Sequence, residues 1–188
     1  MLGLWIVLGI IVVLAFIFIG VYNGLVRGRN EVKNAWAQID VQLKRRHDLI
    51  PNLVETVKGY KNFERETLEA VTKARNIAVQ AASSGGVADR AKVEADLGGA
   101  LARLLVTVEA YPDLKANQNF LALQEELTST ENKIGFSRQF YNDSVLKYNN
   151  QIQMFPSNIV ASMGGFKAGE FFEVTVAAEK EPVKVSFS

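Results

Sequence analysis

The sequence predicts an all-α membrane protein. It should have an N-terminal single transmembrane helix, then an antiparallel up-and-down bundle of three to four long helices, then a short irregular or β-hairpin-like tail. Three observations carry this reading. The first 26 residues hold no charged side chain. Apolar residues recur every seven positions from Val32 to Tyr60 and again from Phe120 to Phe155. After Pro156 that period gives way to glycines and short alternating runs. The expected segments are an anchor over 1–22, a bundle over 23–155 and a tail over 156–188.

The anchor comes first. Leu2 to Tyr22 contains nothing more polar than glycine, tryptophan and tyrosine. A helix of that length spans about 31 Å, close to the roughly 30 Å hydrocarbon core of a bilayer. Trp5 and Tyr22 sit near its ends, where aromatic belts lie. A cleaved signal would need a basic start, a shorter apolar core and a small-x-small cleavage site. No Lys or Arg precedes this run, and Val21-Tyr22-Asn23-Gly24 at its end is a poor cleavage site, so a retained anchor is expected. Arg27, Arg29 and Lys33 follow the span, which by the positive-inside rule puts the remainder in the cytoplasm. The same three cations favour anionic lipid. Gly20, Gly24 and Gly28 share one helix face. That face suits close packing of neighbouring anchors, or else a flexible exit from the membrane.

The bundle follows. One row reads Val32, Ile39, Arg46, Leu53, Tyr60, and its companion Trp36, Leu43, Ile50, Val57. Steps of three and four make a seam for a partner helix. Leu68, Val71, Ala74 and Ala78 continue the pattern less cleanly to Ser83-Ser84-Gly85-Gly86. Pro51 should kink this helix or restart it, with Asp48 placed to cap the restart. A second helix is expected from about Asp89, as its cap, to Ala110, before Tyr111-Pro112-Asp113. The third should start near Asn117 or Asn119 and run to about Met154. Its row is Phe120, Leu127, Ile134, Tyr141, Tyr148, Phe155. Arg46, Glu131 and Arg138 are charges on apolar rows, and Arg46 is expected to meet Glu131 across helices. Beyond Pro156, the runs 171–176 and 183–187 alternate like strands, fitting a hairpin or a docking tail.

Composition narrows the chemistry. The chain has no cysteine and one histidine, with 21 Lys+Arg against 20 Asp+Glu. Cysteine nucleophiles, thiolate metal sites and iron–sulfur clusters are thereby excluded. A net charge of +1 argues against a nucleic-acid partner. There is no Gly-x-Ser-x-Gly elbow, no His-Glu-x-x-His and no phosphate loop. No catalytic residue, cofactor or metal ligand is therefore assigned.

Three stretches carry a resemblance. The first runs from Tyr22-Asn23-Gly24 through Arg29-Asn30-Glu31-Val32 and Ala35-Trp36 to Asp48-Leu49-Ile50-Pro51-Asn52-Leu53-Val54 and Lys58-Gly59-Tyr60. The second joins Tyr111-Pro112-Asp113-Leu114-Lys115-Ala116 to Leu123-Gln124-Glu125-Glu126-Leu127 and Thr130-Glu131-Asn132. The third is Tyr141-Asn142, Tyr148-Asn149 and Phe155-Pro156. Together they resemble the LemA family of bacterial membrane proteins. Many members carry a histidine after the Lys-Gly-Tyr motif, where this chain has Phe63. The resemblance implies an N-terminal span, a helical bundle and a bacterial inner-membrane location, and no established reaction. The expected role is a non-enzymatic, self-associating scaffold or membrane-organising protein, with lipid and further copies of the chain as partners. The alternative is an adaptor for a membrane enzyme such as a metalloprotease.

Overall fold

The computed structural model describes residues 2–60 and 63–173. They form six helices: α1 (Leu2–Lys58), α2 (Arg65–Ser84), α3 (Val87–Val108), α4 (Pro112–Lys115), α5 (Gln118–Gln153) and α6 (Ser157–Met163). No strand occurs among the described residues. Two compact units result, one from Met1–Asp40 with Phe136–Phe171, the other from Val41–Gly135 with Phe172–Ser188. Both α1 and α5 contribute to each.

Pro51 neither breaks α1 nor restarts it, so Asp48 caps nothing; the helix continues to Lys58. A proline at 51 removes the N–H that would bond the carbonyl of His47, four residues back. Here Nε of Arg75, from α2, donates to that carbonyl at 3.2 Å. α1 ends at Lys58 and α2 begins at Arg65, so the run expected to continue from Val32 to Ser83 is two helices. Gly59 is the worst helix former in that stretch apart from proline. Leu68 also leaves the heptad that ends at Tyr60, and this phase slip marks the boundary. Asp89 is not a cap either: Gly86 takes that position, and Asp89 lies in the first turn of α3, where its charge suits the helix dipole. At α5, Oδ1 of Asn117 accepts the N–H groups of Asn119 and Phe120 at 2.9 and 3.1 Å.

The second unit is held by one apolar core. Ile50, Leu53 and Val57 of α1 pack with Leu68 and Val71 of α2, Leu97 and Leu104 of α3, and Phe120 and Leu127 of α5. Each such side chain contributes about 1.5–3 kcal/mol on burial.

In the first unit, α1 and the last half of α5 run antiparallel. Trp36 packs on Tyr141 with ring centroids 5.3 Å apart. Lys147 pairs with Glu31 at 3.2 Å, and Tyr148 lies against Gly28. The helix α6 was not foreseen in the tail. It turns back on α1, where Val160, Ala161 and Phe166 bury with Leu25 and Tyr148. Gly165, at φ +67°, allows the turn that folds Phe166 under α6. Phe171–Glu173 form no regular structure. The rest of both strand-like runs lies outside the described residues.

Candidate functional site: a closed charge cluster and the membrane exit

Two places concentrate polar chemistry or exposed apolar surface. The first is a charge cluster inside the second unit. Arg46 is buried on α1 and donates from Nη1 to Oε1 of Glu131 on α5 at 2.7 Å. Its Nη2 reaches the carboxylate of Glu94 on α3 and also the Glu94 carbonyl, at 3.2 Å. His47, next in sequence and also buried, places Nε2 2.9 Å from the other Glu94 oxygen. Glu94 is thus gripped from both sides by adjacent residues of one helix turn.

Burial alone would push the Glu94 carboxyl up. The His47 hydrogen bond and the charge of Arg46 outweigh it, and the carboxyl lies below its ordinary range. Around this core, Arg45 pairs with Glu126 at 2.6 Å, both half exposed. The geometry ties α1, α2, α3 and α5 through named polar atoms, and its buried charges face one another rather than solvent.

The Arg46–Glu131 pairing follows the sequence rows, whereas the roles of His47 and Glu94 do not. Glu94 was legible in principle. It lies on the row Ala91, Glu94, Leu97, Leu101, Leu104, Val108 of α3, all buried, and a carboxylate on such a row needs a cation. Among the described residues, no three His, Asp or Glu side chains converge as a metal site. An open groove of about 800 Å³ also lies along α2, bordered by Val54, Phe63, Leu68 and Ile77. Phe63, at the departure from the family pattern, packs on Tyr111 with the rings tilted by 41° and centroids 5.1 Å apart.

The second place is the exit of α1 from its apolar segment. Residues 2–20 are exposed throughout, and α1 contains one stretch long and apolar enough to cross a membrane. Trp5 is exposed near its start. Tyr22 stacks on Phe18 and meets Phe166 edge-on at 5.5 Å. The guanidinium of Arg29 lies 5.1 Å above the Phe166 ring. Arg27 and Lys33 are exposed.

The glycine face divides. Gly20 and Gly24 have open space where a side chain would go. Gly28 does not serve neighbouring anchors: a Cβ there would lie 3.1 Å from Cδ2 of Tyr148 and 2.5 Å from Oε1 of Gln151. That glycine packs α5 of its own chain. In this unit the buried phenol of Tyr141 donates to the carbonyl of Glu170 at 2.8 Å. Burial, then the charge of Glu170, pushes its hydroxyl above the ordinary range. Burial also raises Tyr148, with Arg29 opposing. Asn149 accepts from the N–H of Gly169 at 2.8 Å and donates to its carbonyl at 3.0 Å.

Of the predicted seam residues, Ile39, Leu43, Ile50, Leu53, Val57, Phe120, Leu127, Ile134, Tyr141 and Tyr148 are buried, and Trp36 is half-buried. Phe155 leaves the seam. It lies beyond the end of α5 at a turn before Pro156, so its phase no longer follows the helix, and it is exposed.

The sequence profile of the LemA family matches residues 35–187, beginning beyond the apolar segment. Among curated relatives, the chain is similar to Protein LemA of Metamycoplasma hominis, at 31% identity, covering 86% of this chain and 75% of that one. It is also similar to Magnetosome protein MamQ 2 of Paramagnetospirillum magneticum, at 25% identity over 92% of this chain and 73% of the relative. Magnetosome protein MamQ of Magnetospirillum gryphiswaldense matches at 25% identity over 84% of this chain and 66% of the relative.

Proposed function

Since the chain belongs to the LemA family, we propose that it is a single-pass membrane protein whose helical bundle acts as a non-enzymatic, self-associating scaffold at the membrane. One observation carries this reading. The stretch apolar enough to span a bilayer is exposed along residues 2–20 and runs without a break into the bundle. A helix so placed presents its whole surface to lipid or to other anchors. Gly20 and Gly24 leave an open small-residue face for the latter.

The self-contained charge cluster supports the non-enzymatic part. Arg46 and His47 are both engaged with Glu94, and all three are buried. None of the three relatives described above is named for a reaction, and two of those three are named as magnetosome proteins. Arg27, Arg29 and Lys33 after the apolar stretch favour a cytoplasmic bundle.

The test is the size of the particle extracted in mild detergent or native lipid, by light scattering with electron microscopy. A defined homo-oligomer is expected, and it should shrink on Gly20→Leu or Gly24→Leu. A monomer at high concentration, with no crosslinks in cells, would overturn the self-associating part. The groove along α2 favours a second reading, an adaptor that receives a segment of a membrane enzyme such as a metalloprotease. One stoichiometric partner in place of homo-oligomers would point there.

A further inference from the structure

We propose that the end of α5 and α6 form a second membrane contact, an apolar foot seated in the interfacial layer of the bilayer beside the exit of α1. The inference rests on the reading of residues 2–22 as a membrane span. Its grounds lie within the first unit.

The register comes first. Trp36 meets Tyr141, Glu31 meets Lys147, and Gly28 meets Tyr148. Each step down α1 is matched by a step up α5, which brings Gln153 level with Gly24. Beyond it, α6 packs Val160 and Ala161 against Leu25, and Phe166 touches Tyr22. At 1.5 Å per residue, Leu25 lies about 4.5 Å beyond Tyr22. Headgroup layers add roughly 5–7 Å on each side of the hydrocarbon core. With the span inserted, this part of the fold stands within that layer.

The surface suits that position. Met154, Phe155, Ile159 and Met163 are exposed by 63%, 80%, 53% and 73%. From Tyr148 to Phe166 no side chain is charged, while Lys147 and Lys167 bound the stretch. A helix facing water would carry charge on its outer side. Here the outer side carries those four apolar residues with the uncharged Gln153, Asn158 and Ser162 beside them, and an uncharged, apolar-rich side rimmed by cations is how interfacial segments meet anionic lipid. Arg27 and Arg29 add positive charge at the same level. Lipid is therefore the occupant, because the span itself holds this patch against the headgroups.

The sequence contains no cysteine, so single probes can be introduced. Full-length chains bearing Met163→Cys or Phe155→Cys would carry an environment-sensitive fluorophore, in nanodiscs of phosphatidylcholine and phosphatidylglycerol. Gln139→Cys, exposed farther along α5, serves as the control, and Val12→Cys reports the span. Both foot positions are used so that failure of one variant to fold does not decide the matter.

The expected result is at least twofold stronger quenching by shallow nitroxide lipids at 163 and 155 than at 139, and protection there from aqueous iodide. It should hold with one chain per nanodisc. Equal quenching at 163, 155 and 139, with 12 quenched by deep nitroxides, would overturn the foot and leave the span standing. Protection lost at one chain per nanodisc would overturn it in favour of a second copy as the occupant. If 12 also escapes deep quenchers, the span reading and the foot fall together.

Discussion

Arg75 donates its Nε hydrogen to the carbonyl of His47, the acceptor that Pro51 leaves without a helical partner. A side chain from α2 thus stands in for a backbone N–H of α1. The carbonyl that a proline inside a helix frees is thereby satisfied. Pro51→Ala should raise thermal stability, by up to about 3 kcal/mol if the ring is the whole penalty. Arg75→Ala should cost about 1.5–3 kcal/mol in the native background, and clearly less once Pro51→Ala supplies the missing donor. Equal costs in both backgrounds, in a double-mutant cycle by denaturant unfolding, would reject the relationship.

The charge cluster should be unequal in its parts. Glu94→Ala leaves Arg46 and His47 buried without their carboxylate, and a loss of about 3–5 kcal/mol is expected. Glu131 is 44% exposed at its side chain, so Glu131→Ala should cost distinctly less. Unfolding curves for the two variants check the order, and a reversed order would mean that Glu94 is not the hub.

The two units should fail at opposite ends of the pH scale. The Glu94 carboxyl is held below its ordinary range. Its contribution to stability is therefore present above the unfolded-state value of about 4.3 and is lost as pH falls through the lower folded value. Tyr141 and Tyr148 are raised. Their contribution is intact below about pH 10 and is lost as pH rises through the folded values. Glu94→Gln should flatten the acid limb of a stability–pH profile and leave the alkaline limb alone. Tyr141→Phe should do the reverse, while giving up the bond to Glu170, worth about 1 kcal/mol.

The glycines offer a contrast of another kind. Gly28→Leu should destabilise the first unit, because its side chain meets Tyr148 and Gln151. Gly28→Ala should do so weakly, since about 1 kcal/mol of helix propensity offsets the crowding. Gly20→Leu and Gly24→Leu should leave stability unchanged and alter only particle size. Measuring both properties on all four variants separates folding from assembly.

Much of this architecture was legible because one period governs it. The rows from Val32 to Val57 and from Phe120 to Tyr148 name most of the buried face, and Arg46 with Glu131 could be paired from charges on those rows. What escaped lies where the period is interrupted. Gly59 follows the last residue of α1, where the only sign in the apolar spacing is the one-residue slip from the row of Tyr60 to Leu68. The helix α6 is a single seven-residue element without charge or repeat, too short for periodicity to report. Gly28 shares a face with Gly20 and Gly24 in sequence, and only the position of α5 separates their roles. Pro51 left a kinked helix and a restarted one both open, because the donor that distinguishes them, Arg75, stands 28 positions from His47 in sequence and on another helix.

The clasp between Asn149 and Gly169 bears on how freely this sequence can change. One side-chain amide accepts from the N–H of Gly169 and donates to its carbonyl, so the grip reads backbone and ignores the neighbouring side chains. A Cβ at 169 would come within 3.5 Å of Val145, an ordinary contact. With the Tyr141 hydroxyl donating to the carbonyl of Glu170, the segment is moored at two adjacent residues through backbone atoms alone. The side chains on either side, Lys167 and Glu170 among them, are left as variable surface that mutation can rewrite without loosening the mooring.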